Sequence, residues 1–330
     1  MEGWDLMKKV LITGAGGFIG SHLTELCVKR GYKVRAFVHY NSLNRWGWLE
    51  ESSILKKVEV ISGDVRDFDS VFNAMKGCDT VFHLAALIGI PYSYISPLAY
   101  IKTNVEGTYN IVQAAKDLSV KNIVITSTSE TYGTAQYVPI DEKHPCVGQS
   151  PYAATKIAAD QIALSYYRSF GLPVKVVRPF NTYGPRQSAR AVIPTIITQI
   201  LNGIKQVQLG NTSPTRDLTY VTDTVEAFMA IAQCPKAYGE VINIGMNTEI
   251  SVKDLSKMIS NIINKDIKIV QDSQRIRGSV TEVERLCCNN TKLIKLTGWK
   301  PVFNLQKGLK ETIDWLKGHL TIYKANYYNI

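Results

Sequence analysis

A strand, a glycine-rich turn and a helix follow one another near the N-terminus, and this feature constrains the fold most. The apolar run Lys9 to Thr13 (KVLIT) continues directly into GAGGFIG and then into an amphipathic stretch, Ser21 to Arg30. Gly14, Gly17 and Gly20 follow at three-residue spacing, which lets the backbone turn tightly, approach a pyrophosphate and pack the helix on the strand. Phosphates bind at the N-terminus of such a helix. A merely tight turn would also use glycines, but the flanking strand and helix favour a dinucleotide-binding unit.

The end of the second predicted strand bears on the choice of dinucleotide. This strand covers Lys33 to Val38, and an acidic residue that binds the ribose of NAD usually follows about twenty positions after the glycines. Tyr40 and Asn41 stand there instead, with Arg45 close behind. Because Arg45 has the charge to neutralise the 2′-phosphate of NADP, the sequence leaves NAD and NADP open. We favour NAD.

Strands alternate with helices along the first half of the chain. Apolar runs predict strands at Val58 to Ser62, Thr80 to Leu84, Asn122 to Thr126 and Val174 to Val177, and a helix over Thr103 to Lys116. Such alternation implies right-handed crossovers. The sequence therefore predicts an α/β fold with a doubly wound parallel Rossmann sheet.

The pattern becomes less regular after residue 178. A stretch rich in Pro, Gly and Arg precedes shorter predicted strands at Val207 to Leu209, Val241 to Ile244 and Ile267 to Val270, and helices at Val221 to Ala232 and Val252 to Asn264. We predict that residues 1–178 are mainly an NAD(P)-binding Rossmann domain and that 179–330 are mainly a smaller C-terminal substrate-binding lobe. Some strands and helices from about 207–245 are expected to return to the first domain. Ligands of such folds bind at the carboxyl edge of the sheet.

Composition limits the classes to which the chain can belong. The 330 residues carry a formal net charge of +10 and six scattered cysteines without a CxxC pair. We therefore expect reduced thiols, no metal site and an anionic ligand. Dense basic runs with interleaved aromatics are missing, so a phosphorylated small molecule is favoured over nucleic acid. No apolar run approaches the length of a membrane span, and MEGWDLMKK lacks the apolar segment of a secretory signal, so we expect a cytoplasmic protein without a membrane partner.

A tyrosine and a lysine form the candidate catalytic pair. Tyr152 and Lys156 lie four residues apart at the start of a helical pattern and share one helix face. A neighbouring ammonium lowers the pKa of a phenol and lets it act as a base near neutral pH. A solvated polar face would show the same spacing, but this pair closes a stretch that begins with a buried strand at Asn122 to Thr126. His83, by contrast, lies inside a predicted strand, and we interpret it as a packed core residue rather than a ligand.

Several motifs spread over nearly the whole chain are shared with one enzyme family. They are TGAGGFIG, GDVRD, FHLAA, the TSE-x-YG segment at Thr128 to Gly133, SPYAATK, RPFNTYGPR, RDLTYVTD and LTGWKP. With them the chain resembles the extended short-chain dehydrogenase/reductases, in their nucleotide-sugar epimerase/dehydratase branch. Within that branch it is similar to the LegB-type N-acetylglucosamine-nucleotide 4,6-dehydratases, with which it shares Tyr40 to Glu50 (YNS…WGWLE), Ile90 to Tyr94 (IPYSY) and PRQSARAVIPTIITQI.

The resemblance implies a set of catalytic residues. Thr128, Tyr152 and Lys156 match the family's oxidation triad, and Glu130 matches its base. Ser129 stands where the dehydratases acting on dTDP-glucose carry Asp as the general acid. Because Thr-Ser-Glu is similar both to GDP-mannose dehydratases and to UDP-glucuronate decarboxylases, these residues leave dehydration and decarboxylation open.

The resemblance also implies binding residues for two ligands. The expected NAD-binding residues are Gly14, Gly17, Phe18, Ile19, Gly20, Tyr40, Asp64, Val65, Leu84, Ala85, Ala86, Tyr152 and Lys156. The residues expected to hold the nucleotide diphosphate are Asn181, Arg190, Arg216 and Arg277. Guanidinium forks suit that task, although a surface ion pair is the alternative for any one arginine. Gly278 departs from the proline that the family often has at that position.

The function implied by the resemblance is that of a nucleotide-sugar 4,6-dehydratase. It would act on UDP-GlcNAc or a close derivative through a 4-keto intermediate, in nonulosonic acid or deoxy-amino-sugar biosynthesis. The alternatives are reduction or C5 epimerisation of a 5,6-ene sugar, UDP-glucuronate decarboxylation, and a non-catalytic nucleotide-sensing protein. The helices Pro97 to Lys116 and Pro151 to Phe170 resemble those that form a four-helix interface in the family, so we expect a homodimer.

Overall fold

The computed structural model describes residues 8–276, 282–325 and 327. Its strands are β1 (Lys9–Thr13), β2 (Lys33–His39), β3 (Val58–Gly63), β4 (Thr80–His83), β5 (Asn122–Thr126), β6 (Val174–Pro179), β7 (Asn181–Tyr183), β8 (Gln206–Leu209), β9 (Thr215–Arg216), β10 (Leu218–Tyr220), β11 (Val241–Ile244), β12 (Ile250–Ser251), β13 (Lys268–Gln271) and β14 (Arg285–Leu286). Its helices are α1 (Phe18–Lys29), α2 (Phe68–Met75), α3 (Ile90–Ile95), α4 (Pro97–Tyr100), α5 (Gly107–Asp117), α6 (Pro151–Phe170), α7 (Val192–Leu201), α8 (Val221–Ala232), α9 (Val252–Ile263), α10 (Thr291–Thr297) and α11 (Leu305–Lys317). Within these described ranges, no helix has the length and apolar character needed to cross a membrane.

Parallel strands form the central sheet in the order β11-β6-β5-β4-β1-β2-β3. Val10 of β1 pairs with Val34 on one side and with Thr80 on the other. Leu11 and Ile12 are fully buried, as expected for a strand whose sheet is covered by helices on both faces. The direction of winding reverses at β1: β2 and β3 lie on one side of it, and β4 and the later strands lie on the other. Ligands of doubly wound sheets bind in the crevice at this point. The predicted α/β fold with a doubly wound parallel sheet is confirmed.

Helices cover both faces of the sheet and create two apolar cores. Helices α1, α8 and α10 pack on one face, where Leu23, Phe228 and Trp299 belong to the same buried cluster. Helices α2, α5 and α6 pack on the other face around Met75 and Ile111. This second layer fixes the position of α6, the helix that carries the candidate catalytic pair.

The second lobe has its own apolar core and its own small sheets. Helices α7, α9 and α11 pack together and bury Ile196, Ile259 and Ile313. Strand β8 pairs with β13, and β9 pairs with both β12 and β14. Two later elements belong to the first domain, because β11 pairs with β6 and α8 packs on α1. Strand β8, which lies within the range expected to return, pairs with β13 and packs against α7.

The helix predicted over Thr103 to Lys116 begins with a π-helical turn, Ile101–Glu106, before α5. Asn104 lies in this turn and is buried. Its side chain accepts a hydrogen bond from the Leu87 amide (2.9 Å) and donates to the Leu87 carbonyl (3.0 Å) and to Thr155 Oγ1 (3.1 Å). Single π turns often occur at functional sites. Here the turn lets Asn104 hold the segment after β4 against α6, a role that helical periodicity does not reveal.

Candidate active site

A cavity of about 640 Å³ lies between the carboxyl edge of the central sheet and the second lobe. Its first-domain wall is built from the glycine turn, the segment after β4, the residues that follow β5 and the first turns of α6. Its second wall comes from the loop before α7 and from the ends of β8 and β9. The volume suits a small-molecule site, and the place is the one at which such sheets bind their ligands.

Close packing makes glycine necessary at two positions of the turn after β1. Gly14 has a φ of +70°, and a Cβ there would lie 2.8 Å from the backbone nitrogen of Ala85. A Cβ at Gly20 would lie 2.1 Å from the carbonyl oxygen of Gly14. The bare backbone at the N-terminus of α1 therefore faces the cavity, an arrangement that binds phosphate. This part of the wall consists of Gly14, Gly17, Phe18, Ile19 and Gly20.

The other residues expected to bind the cofactor do not all line the cavity. Leu84 and Ala86 line the cavity. Asp64 forms an ion pair with Arg66, whose guanidinium holds the pKa of that carboxyl below its usual range. Tyr40 is 67% exposed at the end of β2. The residues that the structure does not place on the cavity wall are Tyr40, Asp64, Val65 and Ala85.

Thr128 and Glu130 reach the cavity from a short turn after β5. Residues Ser129–Tyr132 form one turn of 3₁₀ helix, and Thr128 Oγ1 accepts a hydrogen bond from the Glu130 amide at its start (3.2 Å). Both of these side chains belong to the cavity wall. Ser129 is buried and is not part of that wall. The turn therefore presents Thr128 and Glu130 to a ligand and directs Ser129 into the protein.

Tyr152 and Lys156 line the cavity from the first turns of α6. This helix begins at residue 151 because Ser150 caps it, accepting a hydrogen bond from a backbone amide of the first turn. The Tyr152 ring packs edge-on against Tyr100, with 6.2 Å between the ring centroids. Lys156 Nζ donates to the carbonyl oxygen of Thr126 at the end of β5 (2.5 Å). The pair is thus held between the helix and the last residue of a sheet strand.

Burial is the largest influence on the pKa of both groups. Removal from water raises the pKa of Tyr152; its hydrogen bond with Thr128 lowers this pKa, and the charge of Glu130 raises it. Burial lowers the pKa of Lys156 to about 8, opposed by the charge of Asp160. This differs from the expectation that Lys156 lowers the pKa of Tyr152. The ammonium donates to a backbone carbonyl instead, and the desolvation of a charged phenolate outweighs the charge effects.

Asn181, Arg190 and Arg216 lie on the cavity wall, as expected of residues that hold a diphosphate. Asn181 Oδ1 is buried and has no hydrogen-bond partner among the described residues. Arg216 Nη2 lies 3.5 Å from the carboxylate of Glu282. Arg277 falls outside the described residues. The cavity therefore joins the wall with the acid–base groups to a wall with guanidinium donors suited to phosphate oxygens.

Sequence reasoning missed further polar residues on the same wall: Gln187, Asn211, Arg275 and Glu282. A signal existed for Arg275, which stands two positions before Arg277 in QRIRG, although only the second arginine was matched. Gln187 and Asn211 lie in loops between regular elements, where no periodicity indicates which way a side chain points.

The interpretation of His83 as a packed core histidine is confirmed. Its side chain is buried, with one ring nitrogen 2.8 Å from Thr13 Oγ1 and the other 3.3 Å from Thr108 Oγ1. Burial lowers its pKa to about 3, so the ring is neutral at physiological pH. It links β1 to β4 directly below the glycine turn.

A doubly wound sheet whose glycine turn and Tyr–Lys pair face one cavity defines the extended short-chain dehydrogenase/reductases, NAD-dependent enzymes that act on nucleotide sugars as dehydratases and epimerases. More narrowly, the chain belongs to the GDP-mannose 4,6 dehydratase family, whose model matches residues 11–312.

Named relatives share the scaffold but differ in sugar and nucleotide. A human dTDP-D-glucose 4,6-dehydratase is 31% identical over 99% of this chain and 94% of its own length. A UDP-N-acetyl-alpha-D-glucosaminuronate decarboxylase of Bacillus cytotoxicus is 33% identical over 94% of this chain and 98% of its own. The solved structure of DesIV, a dTDP-glucose 4,6-dehydratase from Streptomyces venezuelae with NAD and TYD bound, has a TM-score of 0.87 and 26% identity, covering 96% of this chain and 99% of that one. The family therefore defines the enzyme class and leaves the substrate open.

Proposed function

We propose that this enzyme is a nucleotide-sugar 4,6-dehydratase acting on UDP-GlcNAc or a close derivative through a 4-keto intermediate. The supporting observation is a single cavity shared by the glycine turn, the side chains of Thr128, Glu130, Tyr152 and Lys156, and the polar wall of the second lobe. A dehydration that begins with oxidation needs a hydride acceptor, acid–base groups near C4 and C5, and a hold on the diphosphate at the same time.

The residues of the glycine turn fit NAD. Any Cβ at Gly14 or Gly20 would overlap neighbouring backbone, so the turn keeps the bare backbone and the free helix N-terminus that a pyrophosphate requires. Gly14, Gly17 and Gly20 would hold that pyrophosphate. Bound NAD would supply reversible hydride acceptance next to the sugar ring. The DesIV structure, solved with NAD, supports NAD as the dinucleotide.

Oxidation at C4 requires a base for the O4 proton. Tyr152 lies on the cavity wall near Thr128, whose hydroxyl lowers the pKa of the Tyr152 phenol. As a phenolate, Tyr152 takes the O4 proton while the hydride leaves C4 and the carbonyl forms. Because burial raises the pKa of Tyr152, this phenolate needs a nearby positive charge. Lys156, with a pKa of about 8, is mostly protonated at neutral pH and is proposed to supply that charge.

The ketone at C4 makes the C5 proton acidic, so a weak base is sufficient for the next step. Glu130 lies on the same wall as Tyr152 and takes that proton. The C6 hydroxyl then leaves as water, accepting the proton from the Glu130 carboxylic acid, and Thr128 is placed to hydrogen-bond nearby. Return of the hydride to C6 and of a solvent proton to C5 gives a 4-keto-6-deoxy sugar, and Tyr152 loses its proton to solvent.

The sugar is proposed from similarity, and the nucleotide contacts from geometry. The LegB-like segments support an N-acetylhexosamine, and the Bacillus cytotoxicus relative is named for an N-acetylglucosamine-derived uridine nucleotide. Asn181, Arg190 and Arg216 are proposed to bind the diphosphate because they face the cavity and supply amide and guanidinium donors. We place the product in nonulosonic acid or deoxy-amino-sugar biosynthesis on the LegB resemblance alone.

Decarboxylation of a UDP-uronate is the second candidate. It shares the C4 oxidation, and both the Thr-Ser-Glu sequence and the Bacillus cytotoxicus relative support it. The test is incubation with UDP-GlcNAc, GDP-GlcNAc, UDP-glucuronate and GDP-mannose, followed by mass spectrometry of each mixture. Loss of one water from UDP-GlcNAc is the expected result. Loss of carbon dioxide from UDP-glucuronate alone would identify a decarboxylase.

A second copy of the chain is the proposed partner. Leu98, Ile101, Tyr109 and Phe170 are exposed on α4, the π turn, α5 and α6, the helices that resemble the family's dimer interface. Helices that expose large apolar side chains are typical of an isologous interface. Light scattering is expected to give twice the chain mass of 36.8 kDa, and a monomer mass would refute the dimer.

A further inference from the structure

A buried ion pair lies directly behind the candidate catalytic residues. Asp160 stands one helical turn after Lys156 on α6 and is fully buried. Arg178 of β6, also buried, donates to Asp160 Oδ2 from Nη2 (2.8 Å) and from Nε (3.1 Å). The mechanism proposed above does not use either residue. Buried charges are costly unless paired, so the retention of this pair calls for a role.

The pair is connected to the catalytic turn as well as to α6. Ser127 Oγ donates to the same oxygen of Asp160 (2.7 Å), and Ser127 lies between the carbonyl that accepts from Lys156 and Thr128. The ring of Tyr132, at the end of the turn, packs over the Arg178 guanidinium at 4.9 Å. The ion pair thus holds the end of β5 and both ends of the turn that presents Thr128.

One oxygen of the carboxylate is left without a partner. Asp160 Oδ1 is buried and accepts no hydrogen bond from any described residue. Although Arg178 pairs with the other oxygen, the charge of Asp160 still acts on Lys156, which shares α6 with it. The other titratable and charged groups around Lys156 are Tyr152 on its own helix, His83 on β4, Glu130 on the turn after β5, Tyr100 near Tyr152, and Arg178 on β6.

We propose that Asp160 and Arg178 are positioning residues that set the charge at the Tyr152–Lys156 pair, with the Asp160 carboxylate keeping Lys156 protonated and Arg178 limiting that effect. The catalytic significance of this proposal rests on the proposed function, since it concerns the oxidation step. The pair acts through Lys156 and the catalytic turn and does not itself touch the cavity.

The two charges predict opposite effects on the same lysine. Asp160 raises the pKa of Lys156 against the lowering caused by burial, and it also raises the pKa of Tyr152. Asp160→Asn keeps the shape of the side chain and removes its charge, so Lys156 should lose its proton at lower pH. Arg178→Gln removes the opposing charge, so Lys156 should keep its proton to higher pH. A residue that only supports the fold gives no reason for shifts of opposite sign.

The size of the shift follows from spacing along the helix. The Cβ atoms of residues four apart on a helix lie about 6 Å from each other, and we take this as the scale of the separation between the two charges. A unit charge at that distance, in an effective dielectric of about 20, shifts a pKa by about two units. Because the opposite charge of Arg178 reduces the field of Asp160, we expect a fall of about one unit in Asp160→Asn.

The direct test is a titration of Lys156 by NMR of the NAD-loaded protein labelled with ¹³C at the lysine ε-carbon. Lys156→Met assigns the resonance by its disappearance. The titration midpoint should fall in Asp160→Asn, rise in Arg178→Gln, and move less in the double variant, which leaves no unpaired buried charge. Ser127→Ala, which loses a hydrogen bond of the network without a change of charge, is the matched control and should leave the midpoint in place.

The same variants give a kinetic reading once a substrate is known. The pH profile for reduction of bound NAD should move to lower pH in Asp160→Asn and to higher pH in Arg178→Gln. An unmoved midpoint in Asp160→Asn, or shifts of the same sign in both single variants, would overturn the proposal. Because the NMR titration needs no sugar, its outcome is independent of the proposed dehydratase activity, which fails separately if no nucleotide sugar reduces the cofactor.

Discussion

Replacement of Glu130 by glutamine should separate the two halves of the proposed reaction. The side chain lies on the cavity wall after the Thr128 cap, and glutamine keeps its length and hydrogen-bonding capacity while removing the base. Oxidation at C4 depends on Tyr152 and Lys156 and should proceed. Removal of the C5 proton depends on Glu130 and should not. We therefore expect the enzyme to stop at the 4-keto sugar with its cofactor reduced.

The magnitude follows from the role of a general base. Loss of one positioned base costs about 10² to 10⁴ in rate, which is about 3 to 5 kcal/mol of barrier. The oxidation step should respond in a different way. Since the charge of Glu130 raises the pKa of Tyr152, its removal should lower that pKa and make the phenolate available at lower pH. Overall turnover is thus expected to fall while the pH profile of oxidation moves toward acid.

The assay follows the nicotinamide absorbance and isotope exchange together. Addition of substrate to the Glu130→Gln protein in heavy water should give reduced cofactor that persists, with no deuterium at C5 of the recovered sugar. The unmodified enzyme should show only a brief absorbance and full deuterium incorporation.

Glu282→Gln is the matched control for this experiment. It makes the same chemical change on the same cavity, but beside Arg216 and away from the catalytic turn. It should alter KM and leave deuterium incorporation intact. A Glu130→Gln enzyme that incorporates deuterium and forms product at the unmodified rate would refute the assignment of Glu130 as the base.

Three further predictions concern the oxidising tyrosine, the diphosphate wall and the core histidine. Tyr152→Phe should retain NAD but reduce it about 10² to 10⁴ times more slowly, as measured by absorbance after substrate addition; an unchanged rate would exclude the phenol as base. Arg216→Ala should raise KM for the nucleotide sugar about 10- to 150-fold, since a hydrogen bond to a charged group contributes about 1.5 to 3 kcal/mol. Its control is Arg285→Ala on neighbouring β14, which should leave KM unchanged within error. Because His83 has a folded pKa of about 3, below its unfolded value, the unfolded chain binds the extra proton in acid. Its contribution should lower the free energy of unfolding by about 3 kcal/mol between pH 6.5 and pH 4, and denaturant titrations of His83→Gln should show a shallower loss over that range.

Local patterns in the sequence determined much of the first domain. The predicted bounds of β1, β5, β11 and α8 are those of the structure. Each of these elements is an unbroken apolar or amphipathic run that ends at a residue of different character, and a run of that kind specifies its own conformation. The turn after β1 could also be predicted from its glycines, because only glycine tolerates the φ of Gly14 and the close approach of Gly20 to the backbone.

The sequence also determined which residues could do chemistry, but it did not fix their surroundings. The i, i+4 spacing placed Tyr152 and Lys156 on the same side of α6, and both line the cavity. The expected lowering of the Tyr152 pKa was wrong in sign, because the spacing of two residues shows their proximity and not their removal from water. Desolvation depends on what packs around a group, and that is a property of the assembled core.

The direction of individual side chains was decided only by the tertiary structure. Ser129 matches the position of a general acid in related dehydratases, yet the 3₁₀ turn buries Ser129 and presents its two neighbours. Arg178 lies just beyond the predicted strand Val174 to Val177, but it belongs to β6 and pairs with Asp160 on α6. Asn104 turns inward because a π turn, not an α turn, precedes α5. In each case the deciding contacts join residues that are distant in the chain, and no local period encodes contacts that exist only once the layers have packed.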